Sequence, residues 1–311
     1  MTGSLRTLTT DLIDYAGLFP PAKLPMAPAV EEYNRCKVGE HEFMLGRFIC
    51  PVSRLGEFST AAAALMPGTY ATSGYSRPAD ITEGWRVSAI MDGELPKDLD
   101  AIDAFNAKHA TQEHGLCAVD MVELKVTDVN AIDEVLDELP EDLFPFFEFP
   151  VTTDCRGFVA ALAGNSAAAK IRTGGIVGNA FPTVGEVAAF LHACAAAQVP
   201  FKATAGLHHP VRAHYPLTYE KDSPTCMMYG FLNLFMAAAV CKVKRPDPEV
   251  TRAILEDDEW RHFKFSDQVL GWKEHLLTVT ELAVARESFA LSFGSCSFED
   301  PVAGLKKMGV L

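Results

Sequence analysis

The chain holds 8 cysteines, spread evenly from Cys36 to Cys296, yet no two stand as Cys-x-x-Cys. Neither a zinc ribbon nor a small disulfide framework is therefore spelled. His-Glu-x-x-His, a Walker sequence, Gly-x-Gly-x-x-Gly and a Gly-x-Ser-x-Gly elbow are also missing. No nucleotide cofactor is indicated, and no metal-binding spacing is spelled. Positive charge is scarce: 27 Lys and Arg against 41 Asp and Glu leave a formal net charge of −14. A polyanion-binding surface lacks global electrostatic support, so nucleic acid is not an expected partner. Long hydrophobic runs are lacking too. The most apolar stretch, residues 227–241, includes Gly230 and Asn233 and is too short to span a bilayer, so it reads as a buried helix. The opening residues, MTGSLRTLTTDLIDYAG, have no basic cluster and put Asp11 and Asp14 where a signal peptide is apolar. A reducing cytoplasm without membrane contact is the expectation.

What is present is ordinary globular composition, 49% hydrophobic and 22% charged over 311 residues, enough for a large core without staples. No internal repeat, low-complexity tract or interdomain linker interrupts it. Short apolar runs at 12–19, 44–51, 85–91, 118–126, 144–151, 168–173, 201–205 and 289–295 alternate with amphipathic stretches at 29–36, 54–66, 98–109, 130–139, 156–163 and 184–198. Strands alternating with helices imply a parallel sheet, and eight of them in this length predict a single closed (β/α)8 TIM barrel, with an open doubly wound sheet as competitor. Residues 68–84 read as a lid-like loop. An α-helical insertion at about 207–288, with helices near 227–241, 248–257 and 275–287, is expected between the seventh and eighth strands. Insertions there cover or shape an active site.

Barrel chemistry gathers at strand C-termini. The polar residues there are Asp14, Arg47, Asp92, Asp120, Glu123, Lys125, Glu148, Lys170, Arg172, Lys202, Thr204, His208, His209, Ser295 and Cys296. Lys170 in AAAKIRTGG and Lys202 in PFKATAGLHH stand inside apolar strands, where an unpaired lysine is rare. Alternation puts Lys170 with Arg172, and Lys202 with Thr204, on one face, away from the helices. Two such charges about 6 Å apart, at an effective dielectric near 20, repel by roughly 2.8 kcal/mol. That lowers a lysine pKa by about two and favours a neutral, Schiff-base-forming amine. The structural alternative is that both lysines are simply paired, with Glu148, Asp120 or Asp14. Arg172 beside them favours an anionic substrate, or else closes on Glu148. His208 and His209 offer acid–base groups or, with a carboxylate, ligands for a divalent metal. Cys296 is a candidate nucleophile with either histidine as base, and equally a small buried residue.

These strand motifs resemble the deoxyribose-phosphate aldolase family. AAAKIRTGG resembles its Lys-Thr-Ser-Thr-Gly strand and PFKATAGL its Lys-Ala-Ser-Gly-Gly strand. In the same order, FICPV is similar to its Val-Cys-x-x-Pro, AVDMVELKV to its Asp-Met-Val strand and SFGSCS to its Gly-Thr-Ser-Ser turn. The resemblance implies a class I aldolase on a (β/α)8 barrel. Lys170 would be its Schiff-base lysine, Lys202 the lysine depressing that pKa and Asp120 the carboxylate of its proton relay; from the residues alone, Asp120 or Glu148 would relay protons. Arg172, Thr173, Thr204, Gly206, His208, His209, Gly294, Ser295 and Cys296 would line substrate, with Gly206 and the turn 294–297 where that family binds phosphate. Arg172 in place of a small residue, Ala205-Gly206-Leu207-His208 in place of Gly-Gly-Ile-Arg, and the long insertion argue against deoxyribose phosphate itself. The expected partner is a small anionic carbonyl compound, with no cofactor; self-association is left open. The alternatives are a metal-dependent hydrolase or lyase on His208 and His209, and a barrel that only binds an anion. The phase of the fourth strand is also open: alternation that turns Asp120 inward turns Glu123 and Lys125 outward, unless the strand bulges.

Overall fold

The computed structural model describes residues 1–69 and 84–311, so the lid-like loop expected at 68–84 falls almost wholly outside the described residues. Eight parallel strands close into a barrel: β1 (Ile13–Tyr15), β2 (Leu45–Pro51), β3 (Trp85–Ile90), β4 (Cys117–Lys125), β5 (Phe144–Glu148), β6 (Ala168–Arg172), β7 (Phe201–Thr204) and β13 (Ala290–Ser295). β13 hydrogen-bonds to both β1 and β7, which closes the ring. The chain is a (β/α)8 barrel of the α/β class.

Alternation along each strand separates two cores. Outward residues such as Phe48 and Phe201 pack on the helix layer, with ring centroids 4.9 Å from Phe58 and 5.6 Å from Phe190. Local signals start the helices. Thr183 and Glu186 form a reciprocal cap on Val184–Ala197, and Thr278 with Glu281 does the same for Val279–Ser288. By length and composition, Gly178–Ala197 could cross a membrane. In the fold its Val187, Phe190, Leu191 and Cys194 are buried on the barrel wall.

The insertion is mixed rather than purely helical. It holds a hairpin, β8 (Ala213–Pro216) with β9 (Thr225–Met228), the helices Phe231–Lys244 and Pro248–Glu256, and an antiparallel sheet of β10 (Phe263–Phe265), β11 (Val269–Trp272) and β12 (His275–Thr278). The helix expected at 275–287 begins only at Val279, because residues 275–278 pair with β11 as a strand. A further helix, Gly3–Thr9, precedes the barrel.

One irregularity decides the site. Val87 pairs with Val119 but Ser88 pairs with Met121, so Asp120 is an extra residue in β4. A bulge of this kind resets the alternation. Asp120 and Glu123, three residues apart, both reach the interior, where Asp120 meets Arg47 and Glu123 meets the two lysines.

Candidate active site

The C-terminal end of the barrel opens into a cavity of about 580 Å³. Its lining includes Glu123, Lys125, Glu148, Lys170, Arg172, Thr204, His208, Gly294 and Cys296. Lys170 and Lys202 are direct neighbours across β6 and β7, and Glu148 is the partner of Lys170 across β5 and β6.

An unbroken chain of charge runs from beneath the floor to the rim. Lys202 Nζ lies 2.6 Å from Asp14 Oδ2 and 2.6 Å from Glu123 Oε1, fully buried. The other Glu123 oxygen is 2.8 Å from Lys170 Nζ, which is also 2.7 Å from Glu148 Oε2. Glu148 Oε1 in turn faces Arg172 Nε at 3.4 Å, and Arg172 is half-exposed at the rim. Three cations thus alternate with three carboxylates. Hydroxyl donors complete the set: Ser88 Oγ donates to Glu123 (2.7 Å) and Ser292 Oγ to Asp14 (2.7 Å), while the Arg47 backbone N–H donates to Asp14 (2.7 Å). The Lys202 ammonium also lies 5.3 Å over the Phe146 ring.

This network reverses one expectation. Burial opposes the charge on Lys170, but Glu123 and Glu148 outweigh it and hold its pKa above the ordinary lysine value. Burial likewise opposes charge on Glu123 and Glu148, and the lysines outweigh it, keeping both carboxyls below their ordinary range. The repulsion expected between the lysines is cancelled because Glu123 stands between them. Lys170 therefore rests as an ammonium rather than a neutral amine.

Asp120 is not in this group. It accepts two hydrogen bonds from Arg47, each 2.6 Å, nearer the N-terminal end of β4, and Glu123 takes the place assigned to it. Thr173 is buried and its hydroxyl is bonded to the Ala205 carbonyl (2.7 Å), so it ties two loops instead of facing the cavity. Ser295 is likewise turned inward, donating to the Ser297 carbonyl at 2.6 Å. Gly206, at φ 75°, forms the turn after β7; a side chain there would meet the Gly174 backbone at 3.0 Å. Gly206 and His209 line a second cavity of about 290 Å³, which shares Pro20, Gly175, Ala205 and His208 with the first.

The two histidines go to different surroundings. His209 stacks on Tyr215, centroids 3.5 Å apart, and burial with the neighbouring His208 charge lowers its pKa to about 4. His208 is opposed by burial, but Asp300 and Cys296 raise its pKa to about 9. Among the described residues, no three of His, Cys, Asp and Glu are grouped to hold a metal ion.

Asp14 and Glu123 stood among the polar strand-end residues, and Asp14 among the expected lysine partners, without being given a catalytic role; Ser88, Ser292, Asp300 and Tyr219 were not singled out. Asp14 and Glu123 carried the same signal as the lysines, a charge inside an apolar strand. Asp300, in the helix Glu299–Lys307, and Tyr219, in the insertion, carried none. In comparisons with protein-family models, curated proteins and solved structures, the chain matches none.

Proposed function

We propose that the chain is an imine-forming carbon–carbon lyase, aldolase-like, acting on a small anionic carbonyl compound. One observation carries this reading. The Lys170 ammonium lies 2.8 and 2.7 Å from two carboxylates, beside Lys202, at the floor of a cavity open at the strand C-termini. The strand motifs that resemble the class I aldolases support it.

In this reading an anionic substrate group pairs with Arg172 and Lys125 at the rim and draws Arg172 from Glu148. Glu148, its cation withdrawn, accepts a proton from Lys170. The neutral amine adds to the carbonyl carbon, water leaves, and the iminium nitrogen takes up the electrons of the breaking carbon–carbon bond. Glu148 then acts as acid and base on the atoms next to the imine. Glu123 and Lys202 hold the amine in place and keep the charge beneath it balanced.

Borohydride trapping tests this directly. The protein is incubated with pyruvate, other keto acids, small aldehydes and sugar phosphates, reduced, and mapped by peptide mass spectrometry. The expected result is a reduced adduct on Lys170 that is absent in Lys170→Met and insensitive to chelators. An adduct on Lys202 would reverse the roles of the lysines. Absence of any adduct, with an anion from the panel still raising the melting temperature, would leave the barrel as a binder without imine chemistry.

A further inference from the structure

On the wall of the same cavity stands a group that the lysine chemistry does not use. Cys296 follows β13, and its Sγ lies 3.9 Å from His208 Nε2. The opposite ring nitrogen, Nδ1, is 3.6 Å from Asp300 Oδ2. Tyr219 Oη donates to that carboxylate oxygen at 2.7 Å and is 3.8 Å from the Cys296 sulfur. Sulfur, imidazole and carboxylate thus stand in the order that a nucleophile, its proton-transfer partner and the group orienting that partner require.

Position separates Cys296 from the other cysteines. It lines the 580 Å³ cavity, and His208 lines both this cavity and the 290 Å³ one beside it. Cys226 is more exposed, but its sulfur contacts the backbone carbonyls of Gly178 and Met227. Cys241 has a histidine, His192, at 3.7 Å, but is buried among core residues. The elements differ as well. Asp300 comes from the last helix, Tyr219 from the insertion, His208 from the turn after β7 and Cys296 from the turn after β13.

We propose that Cys296, with His208 and Asp300, is a second reactive centre of the barrel mouth, a thiol that captures an aldehyde as a hemithioacetal. The step balances with the groups present. A bond forms between Sγ and the carbonyl carbon, and the carbonyl π pair moves to oxygen. The His208 imidazolium gives its Nε2 proton to that oxygen and takes up the thiol proton in return, so nothing leaves and no oxidant or second reactant is needed. Asp300 and Ser295 Oγ face the imidazole at Nδ1, at 3.6 and 3.5 Å, and Tyr219 fixes Asp300. The centre does not depend on the imine reading.

Iodoacetamide alkylation, followed cysteine by cysteine by peptide mass spectrometry near neutral pH, tests it. Cys296 is expected to react roughly ten-fold or more faster than the more exposed Cys226, and His208→Asn and Asp300→Asn are each expected to slow it by about ten-fold. Propanal is expected to protect Cys296 but not Cys226, reversibly on dilution; this arm uses the unaltered protein and needs no variant to fold. A Cys296 rate no greater than that of Cys226, an unchanged rate in a folded His208→Asn protein, or protection that fails with propanal would each overturn the proposal.

Discussion

The barrel interior holds two sets of ion pairs that differ in what surrounds them. Towards the N-terminal end of β4, Arg47 and Asp120 close on each other through two parallel 2.6 Å hydrogen bonds, and neither lines the mouth cavity. At the other end, Lys170 shares two carboxylates, each of which has a second cation, beneath a 580 Å³ cavity. A closed bidentate pair leaves its charges nothing further to do. A chain in which every carboxylate is shared can pass a proton or release a partner when an outside anion competes for Arg172. Charge inside a barrel is therefore poor evidence of a site by itself. Shared partners at an open end are better evidence.

The comparison breaks most readily at Lys202. Its removal in Lys202→Ala leaves buried Asp14 without a cation and Glu123 with Lys170 alone, and is expected to cost about 3–5 kcal/mol in urea unfolding. A loss under about 1 kcal/mol would mean that the chain is not held as a unit. Next in size is Glu123→Gln, expected to cost about 2–3 kcal/mol by removing a charge-assisted partner from both lysines. It also restores the repulsion that Glu123 cancels, so the Lys170 pKa should fall. NMR of reductively methylated lysines checks this, and an unmoved Lys170 titration would refute the screening role. Asp120→Ala, at the opposite end, is expected to cost only about 1–2 kcal/mol and to leave trapping at Lys170 unchanged. If it abolished trapping, the two ends would not be separate.

The smallest effects are in pH dependence. Glu123 and Glu148 have lowered pKa values, so their stabilisation is full above the ordinary value of 4.5 and is lost as pH falls below it. His209, lowered from 6.5 to about 4, adds to the acid side: stability falls as pH drops through that window. His208 works the other way. Raised from 6.5 to about 9, it stabilises fully below 6.5 and loses that contribution as pH rises towards 9. Urea midpoints measured across pH should therefore decline on both sides, and His208→Asn should flatten the stretch between 6.5 and 9. An unchanged alkaline slope in that variant would show that Asp300 and Cys296 do not hold the imidazolium.

The strands were legible because a parallel barrel strand announces itself twice, by an apolar run and by the helix that follows. The inward lysines were legible for a related reason. Period-2 alternation is a property of each strand alone, and it placed Lys170 with Arg172 and Lys202 with Thr204 as found. The insertion was partly legible. The helix Phe231–Lys244 has a long apolar run, whereas strands of four residues such as Val269–Trp272 and His275–Thr278 are too short to carry a period. The phase of β4 stayed open in the sequence because the extra residue at Asp120 changes the phase of everything after it and turns Glu123 inward as well, and nothing local to β4 marks the bulge.

By itself the sequence determined an α/β chain whose alternating runs close into a barrel, and it determined that two lysines stand side by side inside. Both follow from contacts between near neighbours along or across adjacent strands. Tertiary structure decided the charge state of Lys170, since that depends on Glu123 reaching it from β4, two strands away, and on Glu148 beside it. It also decided that Cys296, His208, Asp300 and Tyr219 converge, from positions up to 92 residues apart, between His208 and Asp300. Coulomb forces act over a few ångströms of space, and only closure of the barrel sets which residues share that space.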